Sequence, residues 1–159
     1  MISDSPVDQQ SAHRFFSVNC FNKTWELMSK PDRTPEEDES MVLQAVTSYW
    51  HWTQRDDVTP TNLSIGLWQL SRVYSLVKNE RSAQIFAQKC LDLSEKKGVE
   101  PFYIGYAHEA MARAALIRGD HDQAQRHLLL GLQELQKVTD AEEKQLLHSD
   151  LHEIQMRIA

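Results

Sequence analysis

Two stretches decide how this chain folds. Residues 67–90 read LWQLSRVYSLVKNERSAQIFAQKC, and residues 108–131 read HEAMARAALIRGDHDQAQRHLLLG. In the first, Leu67, Leu70, Ser71 and Tyr74 are followed by Ala83, Ala87 and Cys90. In the second, His108, Met111, Ala112 and Ala115 are followed by Ala124, Leu128 and Gly131 at the same internal spacing. Steps of three and four residues put each set on one helical face. Small residues such as Ser71, Ala83, Ala112 and Ala124 let two such faces approach closely.

Outward from these stretches, the punctuation is that of an all-α chain. Pro35, Pro60 and Pro101 each open a segment with helical periodicity, where a missing N–H costs nothing. Gly98 and Gly119 follow such segments, as helix-ending residues do. Thr34 with Glu37 forms a capping box, Asp120 with Gln123 and Asp140 with Glu143 repeat it, and Asn79 caps the segment beginning at Glu80. Hairpin signals are missing. The spacing predicts seven helices, at 12–29, 35–54, 61–78, 80–97, 101–118, 121–138 and 141–157. Residues 1–10 are polar and expected to be disordered, leaving 11–159 as a single helical domain.

The two stretches resemble the tetratricopeptide repeat (TPR), and the chain is similar to uncharacterised bacterial proteins joining an N-terminal helical segment to a TPR-like remainder. The units stand 41 residues apart, longer than the usual repeat, with the extra length around Lys96 to Glu100. Ala115 also replaces the usual aromatic. The resemblance implies a stack of antiparallel helix pairs closed by a C-terminal capping helix, where Leu147, Leu151, Ile154 and Ile158 recur at steps of three and four. A non-repeating helical bundle shares this periodicity and stays open.

The TPR register implies a groove lined by first helices: Ile65, Trp68, Arg72 and Leu76, then Tyr106, Glu109, Arg113 and Ile117. Arg72 and Arg113 occupy equivalent places, where the resemblance implies a clamp for a ligand carboxylate. A guanidinium suits that role because its planar fork donates two charge-assisted hydrogen bonds. The competing reading is structural pairing: Glu109 precedes Arg113 by four residues, and Arg72 could meet an acid from the N-terminal helices. A second candidate is an aromatic pocket of Trp25, Trp50 and His51, near Tyr49 and Trp52; its ordinary reading is core.

Composition bounds the function. The chain has 159 residues with 17 Lys+Arg, 23 Asp+Glu and a net charge of −6, which argues against general nucleic-acid binding. No apolar run reaches the length of a membrane span, and the start lacks a signal peptide's apolar region. Cys20 and Cys90 suggest neither a disulfide framework nor a metal knuckle. His148 and His152 share a face but lack a third ligand, and His108-Glu109 lacks the second histidine of a zincin, so no metal or cofactor is expected. No nucleophile elbow or phosphate loop appears, and no catalytic residue is assigned.

These observations suggest a non-catalytic, cytoplasmic interaction or adaptor module that binds a peptide or partner protein, one with a carboxylate fitting the groove. Two alternatives remain open. One is a homodimer in which a second copy covers the aromatic stripes. The other is a small-ligand protein or enzyme with a pocket near the N-terminal aromatics, with His51 as acid or base.

Overall fold

The computed structural model describes residues 8–96 and 98–159. Among them the chain forms seven helices and no strand. They are α1 (Gln9–Met28), α2 (Pro35–Thr53), α3 (Pro60–Leu76), α4 (Glu80–Ser94), α5 (Pro101–Ile117), α6 (His121–Lys137) and α7 (Ala141–Ile158). No helix among the described residues is long and apolar enough to cross a membrane.

The caps explain these boundaries. Thr34 accepts from the Glu37 N–H at 3.2 Å while Glu37 accepts from the Thr34 N–H at 2.9 Å, closing the expected box at the start of α2. Asp8, Asn79, Asp120 and Asp140 each accept a backbone N–H in the first turn of α1, α4, α6 and α7. Asp8 starts α1 three residues earlier than periodicity predicts, so Gln9 and Gln10 are helical. The rest of the segment expected to be disordered, residues 1–7, lies outside the described residues, as does Lys97.

The chain divides between Thr59 and Pro60 into two compact units. Pro60 reads in sequence only as a first-turn proline, although net charge shifts there, from −5 over residues 1–59 to −1 over the rest.

The first unit is the α1–α2 hairpin. Its buried seam sets Ser17, Cys20 and Thr24 of α1 against Met41, Ala45 and Ser48 of α2, small or polar residues packed around the large apolar Met41. Ser48 Oγ donates to the Ser17 carbonyl at 2.7 Å across it. Several of its large apolar side chains point outward: Phe15, Phe16, Val18, Leu43, Val46 and Trp50 are all exposed.

In the second unit α3 packs on α4 and α5, and α5 packs on α3, α4, α6 and α7. The short connections set consecutive helices antiparallel. The starts of α3, α5 and α7, at Pro60, Pro101 and Ala141, fall 41 and 40 residues apart. Both α3 and α5 end alike. Asn79 N–H reaches the Tyr74 carbonyl at 2.9 Å, Asp120 N–H reaches the Ala115 carbonyl at 3.0 Å, and the residue before each is left-handed. That residue is Gly119 (φ 75°) after α5 but Lys78 (φ 58°) after α3.

One fully buried apolar cluster joins Ala112 and Leu128 to Leu147, Leu151 and Ile154 of α7. Glycine makes room for that helix. A Cβ on Gly105 would lie 2.5 Å from Leu147 Cδ2, and one on Gly131 would lie 2.9 Å from Leu151 Cδ2. The C-terminal helix is therefore built into the core of this unit.

Candidate functional site

The expected groove residues converge, but around an acid of the chain itself. Trp68 and Arg72 sit one turn apart on α3, and Glu109 and Arg113 one turn apart on the neighbouring α5. Glu109 is fully buried (0% exposed) and accepts from three side chains. Trp68 Nε1 donates to Oε2 at 2.8 Å, Arg72 Nη1 to Oε1 at 2.9 Å, and Arg113 Nε to Oε1 at 2.6 Å. Arg113 Nη2 stands 2.6 Å from the same oxygen without a directed hydrogen bond.

Helix α7 closes the arrangement. Glu153 accepts from Arg113 Nη1 at 3.0 Å, and Asp150 accepts from the Tyr106 hydroxyl at 2.8 Å. Arg72 Nη2 lies 3.9 Å from both of these carboxylates, and Arg157 approaches Glu153 at 3.8 Å. Burial works against the Arg113 charge, but Glu109 and Glu153 outweigh it and hold its pKa above the ordinary value. Burial also pushes Glu153 up, yet Arg113 and Arg72 hold it below the usual carboxylate range. Asp150 is raised by burial and by Glu109, and Tyr106 by burial and by Asp150.

Both arginines are engaged within the chain, in the structural pairing that stood beside the clamp reading. Arg113 is 5% exposed and bound on both sides, and the Arg72 side chain is 18% exposed. The carboxylates beside them come from α5 and α7, so Arg72 finds these acids in its own unit. A buried charge retains its partners because losing one leaves an unpaired ion in a low-dielectric interior. Ile65 lies one turn before Trp68 on α3 and is half-buried.

The N-terminal aromatics separate into two groups. Trp50 and His51 are in edge contact at 4.8 Å, with His13 of α1 5.0 Å from His51 and 5.5 Å from Trp50. Phe16 stacks on His51 at 5.3 Å and Phe15 meets Phe16 at 5.2 Å, making one row across the end of the hairpin. Trp25 meets Phe21 on the same helix at 6.4 Å. The core reading also fails for Trp50, which is 52% exposed, and Phe15 is 60% exposed. The charges beside the row cancel: Arg14 pairs with Asp56 and Asp57, and Arg55 with Asp57 while lying 3.9 Å over the Trp52 ring.

Histidine pairing was not visible in the sequence. His13 and His51 face each other through their Nδ1 atoms at 2.8 Å, and His108 and His127 at 3.1 Å across α5 and α6. Each contact needs one ring to donate and the other to accept. Burial, then the neighbouring imidazole, lowers His51 and takes His108 down to about 4; burial and Arg126 lower His127. Beside His127 a shallow cavity of about 330 Å³ opens between α4, α5 and α6, floored by Met111 and Ala115 and edged by Gln84, Arg118 and Arg126.

His148 and His152 stack at 6.1 Å on the exposed side of α7. Among the described residues no three His, Cys, Asp or Glu side chains come together to hold a metal ion. Cys90 is buried beside Ser64 and Ser94, and burial raises its thiol to about 11. Such a thiol is a packing element at neutral pH, not a nucleophile. No protein-family model, curated protein or solved structure matches this chain.

Proposed function

We propose that this protein is a non-catalytic interaction module. A TPR-like stack, α3–α7, forms its scaffold, and the outward apolar surface of the α1–α2 hairpin meets the partner. The observation that carries this reading is the outward apolar face of the hairpin: apart from Met41, small and polar residues fill its seam, while Phe15, Phe16, Leu43, Val46 and Trp50 face solvent. Contiguous exposed apolar surface of this kind marks interaction sites, and aromatic anchors supply much of the binding energy at such sites.

The TPR-like description rests on the 41- and 40-residue recurrence, on the identical ends of α3 and α5, and on the contacts of α5 with both α3 and α7. The groove of Trp68, Arg72, Tyr106, Glu109 and Arg113 serves here as a structural ion network, so the binding face moves from α3–α5 to α1–α2. The two buried, free cysteines suit a reducing compartment such as the cytoplasm.

The test is a double variant, Phe16→Ser with Trp50→Ser, expressed in the native host. Both side chains are exposed, so helicity and melting should remain close to wild type. Wild-type chain in native extract should elute above its monomer size, and the double variant at it. A wild-type chain that elutes as a monomer contradicts the reading.

A further inference from the structure

We propose that the cavity between α4, α5 and α6 binds a small apolar α-amino acid, free or N-acylated: a ligand with a carboxylate, an adjacent N–H and an aliphatic side chain. The site lies wholly within α3–α7 and does not depend on the hairpin surface.

A missing ring pair opens this cavity. Helices α3 and α5 begin 41 residues apart, as do α4 and α6. Between α3 and α4 the Tyr74 ring stacks on Phe86 at 5.5 Å, with the two planes 3° from parallel. The counterparts of these residues in α5 and α6 are Ala115 and His127. Ala115 brings only a methyl group, and His127 stacks on His108 at 5.4 Å instead. The corresponding space stays open, as a cavity of about 330 Å³. Small-molecule sites run from roughly 300 to 1,000 Å³, so the occupant is small.

The lining selects its chemistry. Met111 and Ala115 make an apolar floor, Arg118 and Arg126 a cationic edge, and among the described residues no acid lines the cavity. Arg118 shares its charge with Asp120 at 3.4 Å. Arg126 borders a neighbouring hollow with Asp120 and Asp122, yet it joins no ion pair among the described residues. Guanidinium groups above an apolar floor fit a carboxylate carried on an aliphatic body. The third feature is Gln84. Its Nε2 reaches Met111 Sδ at 3.9 Å, while its Oε1 is buried at the cavity wall with no hydrogen-bond partner. A buried acceptor without a donor is costly, and an N–H beside the ligand's carboxylate supplies one. An apolar α-amino acid meets all three demands within the volume available.

The experiment titrates the full chain with L-leucine and with N-acetyl-L-leucine, following the methyl signals of Met111 and Ala115 by NMR. At least one should give saturable shifts there, and the tighter of the two identifies the free or the acylated form. Isocaproate, which lacks the N–H, and L-leucinamide, which lacks the carboxylate, should each bind at least about tenfold more weakly. Arg126→Gln changes an exposed side chain, so it should fold as wild type and weaken binding by a similar factor. Arg81→Gln, also exposed but outside the cavity, should leave binding unchanged. Absence of shifts with both leucine forms, equal binding of either control compound, or unaltered affinity in Arg126→Gln overturns the assignment.

Discussion

Replacing Glu109 with glutamine removes a charge that Arg72, Arg113 and Trp68 share. Arg113 would keep Glu153 alone, and a buried ion that loses a partner costs about 3–5 kcal/mol. Urea unfolding of Glu109→Gln should show that loss, whereas Glu153→Gln, at a half-exposed position, should lose far less. Sequence reading reached the Glu109–Arg113 pair because four residues on one helix is a local relation. It did not reach Arg72 or Trp68 as partners of Glu109, since those contacts span 37 and 41 residues and depend on how α3 lies against α5.

The His108–His127 contact makes a prediction about acid at the same scale. His108 is neutral in the folded chain, with its pKa lowered to about 4 by burial, then by His127, against a small opposing pull from Glu134. Unfolded, it titrates near 6.5. Between those values the unfolded state binds more protons, so the contribution is full above about pH 6.5 and falls as pH drops toward 4, by roughly 3 kcal/mol in all. Stability measured across that window should decline in the wild type and decline distinctly less in His108→Gln. Seven histidines were evident in the sequence, but their pairing was not, because 19 residues separate this pair and each lies on a different helix.

At the scale of elements, the helices follow from proline and cap positions. Thr34, Asn79, Asp120 and Asp140 bond to the first-turn N–H groups as their spacing implies, and every predicted helix is present within three residues at each end. The glycine notches under α7 were not foreseen. Gly105 and Gly131 read as small residues within helical runs, and nothing local says that Leu147 and Leu151 occupy the space where a Cβ would sit.

The two equivalent helix ends give a sharper test. Lys78, after α3, adopts the left-handed conformation that glycine takes at Gly119, after α5. A non-glycine residue there is strained by roughly 1–2 kcal/mol, partly offset in a glycine variant by the greater freedom of its unfolded chain. Lys78→Gly should therefore raise stability by about 1 kcal/mol, read as a higher urea midpoint with unchanged slope.

For the whole molecule, composition and periodicity established the all-α class but not its division. Pro60 has the same sequence signature as Pro101, yet one opens the second compact unit and the other lies within it. The outward face of the hairpin was also hidden. Tyr49 to Trp52 cover all sides of a helix, so the sequence required some exposure without saying that Trp50 would be the exposed ring. Surface use is a property of the assembled unit, and it separates the two candidate faces: α3–α5 satisfies its own charges, whereas α1–α2 leaves its largest apolar groups in water.

The most direct measurement sets those faces against each other in living cells. A photo-crosslinking residue is placed at Trp50 in one chain and at Arg72 in another, each irradiated at matched expression. The account predicts protein adducts from position 50 and none above background from position 72; adducts from 72 with none from 50 would contradict it.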